Sequence, residues 1–160
     1  KQGWRALAKE TLPSGPRAPA DTDRAVIGIR RSQTGGGLDD DAADAAYESI
    51  RASTTDVDAI ATSTGFKAAN VEKVKQHVFF DEHLLDSYVD YGVPAEVRRF
   101  DSSAGQAAAW RRLEAGTHTA DDIRWLKHEM AERWWMKNVT PSYAQSHRKV
   151  QATYPAPRLE

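Results

Sequence analysis

The chain has 160 residues, no cysteine and a formal net charge of −1 at pH 7. The lack of cysteine excludes disulfides, thiol nucleophiles and zinc sites with cysteine ligands. The near-neutral charge supplies no broad basic surface, which argues against a general DNA-binding module but leaves room for a nuclease with a local basic cleft.

Residues 1–40 are predicted to form an N-terminal arm or linker. Prolines and glycines punctuate residues 13–19, and Gly35–Gly37 precedes three aspartates. The run Ala25–Ile29 is strand-like, so the arm is either a short ordered strand or, as we favour, a linker from a larger parent. Because the chain begins at Lys1, we expect a covalently attached carrier polypeptide upstream. No apolar run is long enough to predict a membrane span.

Residues 41–160 carry apolar side chains at helical spacing, which predicts one mainly α domain, a compact bundle of five or six helices. The predicted helices cover residues 41–53, 55–64, 70–80, 103–115, 119–138 and 142–153. A shorter amphipathic piece is expected near 84–89 and an extended segment at 97–100. Gly65 and Gly116 predict helix ends, and Thr119 with Asp122 predicts a variant capping box at the start of the longest helix.

The longest predicted helix has two apolar faces instead of one. The predicted core stripe consists of Ile123, Leu126, Met130 and Trp134. The opposite face carries Trp125, Trp135 and Met136. His128 and Glu132 lie between these faces, so we expect both to be buried. Burial of an ionisable pair costs several kcal/mol unless the groups are paired, hydrogen-bonded or ligated.

Several titratable side chains are candidates for catalysis: His77, His83, His128, Glu129, Glu132 and His147. The i, i+4 spacing of His128 and Glu132 suits zinc ligation, a carboxylate that orients an imidazole, or a plain helix-stabilising pair. The stretch differs from the zinc-peptidase motif HExxH because Glu132 replaces the second histidine, which weakens a peptidase interpretation. His77 and His83 would share a face only if the helix breaks near Phe80.

Candidates for substrate binding are Arg99, Asp101 and Arg133. The stretch around Arg99 combines guanidinium groups with an aromatic ring, a pairing suited to phosphate contact and base stacking. Residues 57–76 also have the spacing of a helix-turn-helix, in which Lys73 and Lys75 would contact DNA. A helical hairpin used only for packing gives the same pattern, and we favour it.

Residues from about 57 to 155 resemble a toxin domain found at the C-terminal ends of bacterial polymorphic toxins. That domain follows Rhs or filamentous-haemagglutinin-type carriers and occurs on some phage head-morphogenesis proteins. The resemblance rests on an ordered series of segments: Ile60-Ala61, Thr64–Phe66, Val74–Asp86, Arg99–Asp101, Ala109–Leu113, Leu126–Glu129 with Glu132, Tyr143 with Ser146-His147, and Tyr154. Ser146 stands where we expect alanine in the family, a mild departure that keeps the histidine.

The resemblance implies an antibacterial effector that is delivered by a larger carrier, acts in the target-cell cytoplasm and is neutralised by a cognate immunity protein. Such domains are most often nucleases, so we expect cleavage of nucleic acid, RNA before DNA, by His/Glu acid-base chemistry. The alternatives are a metal-dependent hydrolase built on His128 and Glu132, a helix-turn-helix DNA-binding module, and a purely structural domain. The sequence leaves open whether the site needs no cofactor or a divalent metal such as zinc.

Overall fold

The computed structural model describes residues 32–36 and 40–159, so the strand-like run Ala25–Ile29 lies outside it. The described chain is mainly α, as predicted. Its helices are α1 (Asp41–Ala52), α2 (Asp56–Thr64), α3 (Ala68–Lys75), α4 (Ala104–Ala115), α5 (Ala120–Asn138) and α6 (Tyr143–Thr153). A π-helical turn, Gln76–Phe80, continues α3, and a 3₁₀ turn spans Val89–Tyr91. None of these helices has the length and apolar character that a bilayer-spanning helix needs.

The ends of the helices follow the local signals in the sequence. Gly65 and Gly116 terminate α2 and α4 at φ of 78° and 73°, the left-handed conformation that favours glycine. The side chain of Thr119 accepts from the backbone N–H of Asp122, whose carboxylate accepts in return from the backbone N–H of Thr119. The predicted capping box of α5 is therefore confirmed.

A small antiparallel ladder replaces the amphipathic helix that the sequence predicted near 84–89. Strand β1 (His83–Leu85) pairs with β2 (Glu96–Arg98), with His83 opposite Arg98. All three residues of β1 are buried, because the strand is also covered by α6 and bridges to Ser142. The helical prediction was wrong there because the apolar residues fill a short two-sided strand, whose periodicity resembles one helical turn.

The core lies between α1, the α2–α3 hairpin, α4 and α5. Its largest buried side chains are Tyr47, Phe79, Trp110 and Trp125. The rings of Trp110 and Trp125 meet edge to face at 6.4 Å. Trp134, which the sequence predicted for the core, is 54% exposed. The apolar stripe Ile123, Leu126, Met130 of α5 therefore ends one turn earlier, at Met130. The better-buried face of α5 is instead the one covered by α6 and the π-helical turn.

A buried ion pair fixes the α2–α3 hairpin to α4. Lys75 Nζ donates to Asp56 Oδ1 at 2.8 Å and to the carbonyl oxygen of Ser53 at 2.8 Å, and Trp110 Nε1 donates to Asp56 Oδ2 at 2.9 Å. Lys75 is therefore a packing residue and is not exposed to contact a DNA backbone. This use of the hairpin agrees with the packing interpretation that we favoured over a helix-turn-helix.

Candidate functional site

One face of α5 supplies the central part of the site. His128 and Glu129 each lie three or four residues from both Trp125 and Glu132, so all four side chains project from the same side of the helix. All four are buried, and His128 and Glu132 are each 1% exposed. The predicted burial of this pair is confirmed, and the polar atoms must therefore be satisfied inside the protein.

Two further elements bring the remaining histidines to this face. Helix α6 carries His147, which is partly exposed. The π-helical turn carries His77, which is fully buried, and β1 carries His83. The helix does break after Phe80, the condition for His77 and His83 to share a face, and their rings lie 4.6 Å apart. π-Helical turns are rare and occur often at functional sites.

Glu132 lies at the centre of the cluster and contacts three imidazole rings. Its Oε2 is 3.1 Å from His128 Nε2 and 2.9 Å from His147 Nδ1, and these two nitrogens are 3.3 Å apart. Its Oε1 is 3.1 Å from His77 Nε2. The predicted i, i+4 pair thus forms, but as part of a larger cluster that also draws on α6 and the π-helical turn.

Backbone carbonyl groups orient two of the imidazole rings. His128 Nδ1 donates to the carbonyl oxygen of Tyr154 at 2.7 Å, which directs Nε2 into the cluster. His83 Nε2 donates to the carbonyl oxygen of His77 at 2.7 Å, and its ring stacks on Phe100 with centroids 4.3 Å apart. His83 thus supports the π-helical turn and does not itself reach Glu132.

Glu129 is buried beside Glu132, and only one of its two carboxylate oxygens is hydrogen-bonded within the described residues. Its Oε1 accepts from Trp125 Nε1 at 3.1 Å. Its Oε2 has no hydrogen-bond partner among the residues that the structure describes, and it lies 3.5 Å from His77 Nε2. A buried carboxylate oxygen without a partner is costly and indicates a role beyond packing.

Burial and the crowded charges shift the protonation of this cluster. Burial, together with the charge of Glu132, raises the pKa of Glu129 to about 8. Burial would also raise the pKa of Glu132, but hydrogen bonds from His128, His147 and His77 outweigh it and lower the pKa well below its usual range. Burial would lower the pKa of His128, but Glu132 and Glu129 outweigh it and raise the pKa to about 8. Burial, and next the charge of His77, lowers the pKa of His83 to about 3.

A cavity of about 230 Å³ opens onto the cluster. Its floor is formed by His128, Glu129, Glu132 and His147. Its walls are largely aromatic or apolar and consist of Phe100, Trp125, Tyr143, Ala156, Pro157 and Leu159, with Thr34, Gly35, Ser103 and Gln106. Among these lining residues, all within the described chain, there is no lysine or arginine. A negatively charged substrate would therefore need another source of positive charge.

The three residues predicted for substrate binding lie outside this cavity lining. Asp101 instead anchors residues 32–36, since its Oδ2 accepts from the backbone N–H of Gln33 at 2.7 Å and of Thr34 at 3.1 Å. Burial would raise the pKa of Asp101, but its hydrogen bonds with Arg98 and Gln33 outweigh this and lower it. Arg99 is exposed, with its Nε donating to the carbonyl oxygen of Phe80. Arg133 is partly exposed on α5.

Several contributors to the site were not identified from the sequence. The backbone carbonyl of Tyr154 has no signature in the sequence, because every residue has a backbone carbonyl. Phe100, Trp125 and Tyr143 form the cavity wall, and aromatic residues at such positions are usually assigned to the core. Asp86 fixes the start of α6, with its Oδ2 accepting from Ser142 Oγ at 2.5 Å and its Oδ1 from the backbone N–H of Ala144 at 2.9 Å.

Comparisons with known proteins identify no relative of this chain. No protein-family model matches the chain, and no curated protein or solved structure matches it significantly.

Proposed function

We propose that this chain is a metal-dependent hydrolase and the effector domain of a polymorphic toxin, acting on nucleic acid, with RNA as the first candidate. The observation that carries the metal-dependent part is the triangle of His128 Nε2, His147 Nδ1 and Glu132 Oε2, with sides of 3.1, 2.9 and 3.3 Å. Zinc bound tetrahedrally at about 2.0–2.1 Å holds its ligands about 3.3–3.4 Å apart. The triangle therefore has nearly the size that one ion requires.

The hydrogen bonds to the side chains of the triangle are also those expected around a metal site. Metal-ligating histidines donate their other ring N–H to a carbonyl or carboxylate, as His128 does to Tyr154. Ligating carboxylates are in turn hydrogen-bonded, and Glu132 Oε1 has His77 as its partner. Two imidazole nitrogens, 3.3 Å apart, converge on the single oxygen Glu132 Oε2. A cation between these three atoms would be held by all of them at once.

The ligand set leaves room for chemistry. Two histidines and one glutamate hold catalytic zinc in several hydrolases, with a further position free for water or substrate. A divalent ion held there would activate water and polarise the scissile group. Glu129 follows His128 directly, as the general base follows the first histidine in HExxH enzymes, and it would act as a base for that water only after the ion had displaced the proton that its pKa of about 8 retains near neutral pH. The stretch His128–Glu132 is thus HExxE, a variant of that motif.

The nucleic-acid substrate rests on the resemblance to polymorphic toxins, and the cavity is compatible with it. An ion at the triangle would supply the positive charge that the cavity lining lacks. In phosphodiester hydrolysis the water oxygen bonds to phosphorus, the bond from phosphorus to the leaving oxygen breaks, and the proton given up by the water passes to that oxygen.

A metal-free nuclease is the second candidate. It is favoured by one observation, that Glu132 and Glu129 raise the pKa of His128 to about 8. His128 would then be protonated near neutral pH and could act as a general acid, with a second group of the cluster as the base. This candidate predicts cleavage in the presence of a chelator, whereas the metal-dependent candidate predicts none.

The test is cleavage of total RNA and of plasmid DNA by the full chain after dialysis against EDTA. We expect no cleavage of RNA until Zn²⁺, Mn²⁺ or Mg²⁺ is added back, and none with any ion for His128→Ala or His147→Ala. His118→Ala is the matched control, since His118 lies in the turn between α4 and α5 and should leave activity intact. Undiminished RNA cleavage in EDTA would favour the metal-free candidate. Intact RNA and DNA under every condition would exclude a nuclease.

The effector role has its own test in cells. We expect induced expression of the full chain in the bacterial cytoplasm to arrest growth and fragment RNA, and expression of His128→Ala to do neither. An immunity protein, once identified, should restore growth when co-expressed. Normal growth of cells that accumulate the folded wild-type chain would contradict the toxin assignment without bearing on metal binding.

A further inference from the structure

The two oxygens of Glu132 face different sets of ligands. Oε2 belongs to the triangle with His128 and His147, whereas Oε1 lies on the opposite side, 3.1 Å from His77 Nε2. Glu129 is on the side of Oε1. The side chains of His77, Glu129 and Glu132 bring one nitrogen and two oxygens within 4.8 Å of one another.

Glu129 supplies a second, independent observation on this side. Its side chain is 7% exposed, and Oε1 is held by Trp125, so the orientation of the carboxylate is fixed. That orientation leaves Oε2 buried without a hydrogen-bond partner in residues 32–36 or 40–159. A buried oxygen in this position, beside a second carboxylate and a histidine nitrogen, is one that a cation would satisfy.

We propose that His77 Nε2, Glu129 Oε2 and Glu132 Oε1 form a site for a second divalent cation, with Glu132 bridging the two ions. The proposal rests on the proposed function, since it assumes that the first ion binds at the triangle. His77 Nε2 is 3.1 Å from Glu132 Oε1 and 3.5 Å from Glu129 Oε2, close to the ligand separation of about 3.3–3.4 Å expected around zinc. His77 Nε2 is the ring nitrogen that faces both carboxylates, whereas Nδ1 has no hydrogen-bond partner among the described residues.

A two-ion site would narrow the class of substrates that the cavity is suited to bind. Pairs of divalent ions about 3.5–4 Å apart serve phosphatases, nucleases and some aminopeptidases, where they stabilise both the attacking and the leaving oxygen. Two divalent ions would carry more positive charge than two carboxylates could offset, so the floor of the cavity would be positive. In a cavity whose described lining has no lysine or arginine, this charge favours the phosphodiester over a neutral amide.

The second ion also changes the role of Glu129. If one ion binds, the free oxygen of Glu129 would be left to accept a proton from water. If a second ion binds, the same oxygen would be a ligand, and the two ions together would supply the activation of water. The number of ions per chain therefore decides between two mechanisms that use the same residues.

The experiment is a titration of chelator-treated full chain with Mn²⁺, followed by calorimetry and by metal analysis after gel filtration. We expect two ions per wild-type chain and one ion for His77→Gln, in which the amide can still hydrogen-bond to Glu132. His118→Gln, a histidine replacement outside the cluster, should keep two. Circular dichroism verifies that each variant is folded.

Each outcome has a separate meaning. One ion per wild-type chain, unchanged in His77→Gln, would overturn the second site and leave the proposed function standing. No bound ion at all would overturn the proposed function and the second site together. If His77→Gln fails to fold, the electron paramagnetic resonance spectrum of the wild-type chain with two Mn²⁺ still decides. A spin-coupled pair is expected, and a spectrum of isolated ions would overturn the proposal.

Discussion

Replacing Lys75 by methionine should destabilise the fold strongly, because it leaves the carboxylate of Asp56 buried without its cation. The side chains of Lys75 and Asp56 are only 6% and 1% exposed, and the substitution also removes the hydrogen bond from Lys75 Nζ to Ser53. Loss of one partner of a buried ion pair costs about 3–5 kcal/mol. Since 1 kcal/mol shifts the midpoint of a domain of this size by about 2–4 °C, we expect Lys75→Met to lower Tm by about 6–20 °C.

The assay is thermal unfolding followed by circular dichroism, with Lys73→Met as the matched control. Lys73 lies on the same helix and is exposed, so its replacement should change stability by less than about 0.5 kcal/mol. The double variant Asp56→Asn with Lys75→Met should recover part of the loss, because the unpaired charge is gone. A Tm for Lys75→Met within about 2 °C of the Lys73→Met value would refute the account of the buried pair, since even the smallest expected loss is several degrees.

Three further predictions concern the cap of α5 and the two segments that border the cavity. Asp122→Asn should cost about 1 kcal/mol at pH 7, measured by chemical denaturation, since Asp122 caps the helix and pairs with Arg112 at 2.7 and 2.8 Å. The hydrogen bond from Arg112 lowers the pKa of Asp122, so this stability is complete above the unfolded value of about 3.9 and is lost as the pH falls below it. A stability difference from wild type that stays constant down to pH 2 would contradict the assignment. Gly105→Ala should displace residues 155–159, because a Cβ there would lie 2.7 Å from the carbonyl oxygen of Leu159, and trypsin should then cleave before Leu159 faster than in wild type. An unchanged rate of that cleavage would show that the tail does not rest on α4. Asp101→Ala should accelerate amide hydrogen exchange in residues 32–36 while changing RNA cleavage by less than about tenfold, as expected of a residue that anchors a segment without touching substrate. A complete loss of cleavage with unchanged exchange would instead restore the substrate-binding role that the sequence suggested.

Local signals predicted most of the helical framework. Thr119 with Asp122 begins α5, and Gly116 ends α4, because capping depends on residues close in sequence and on backbone conformations that only glycine adopts easily. The strand β1 was missed because its pairing with β2 is a tertiary contact between segments that each contain only three residues. Three residues carry too little periodicity to distinguish a strand from a turn of helix.

The candidate site was predictable in its residue types and not in its arrangement. The burial of His128 and Glu132 follows from the apolar residues on both sides of α5, which the sequence shows directly. Their contact with His147 depends on how α6 packs against α5, and the start of α6 is held by hydrogen bonds to Asp86, more than 50 residues earlier. No spacing in the sequence encodes such a contact.

For the predicted substrate-binding residues, closeness in sequence did not mean a shared role. Arg99 and Asp101 are neighbours in sequence, which suggested one shared role at a phosphate. Asp101 binds the backbone of residues 32–36, whereas Arg99 is exposed and contacts the carbonyl oxygen of Phe80, because the segment after β2 is irregular and each side chain there makes its own contacts. Short charged motifs therefore say little until the direction of each side chain is known.

The central claim is that His128, Glu132 and His147 hold a divalent ion, and anomalous diffraction from crystals of the full chain grown with Zn²⁺ tests it most directly. The account predicts an anomalous peak bounded by His128 Nε2, His147 Nδ1 and Glu132 Oε2, and no such peak in crystals of His147→Ala. A structure with no peak at this position, and with the imidazole nitrogens still in direct contact with Glu132, would contradict it.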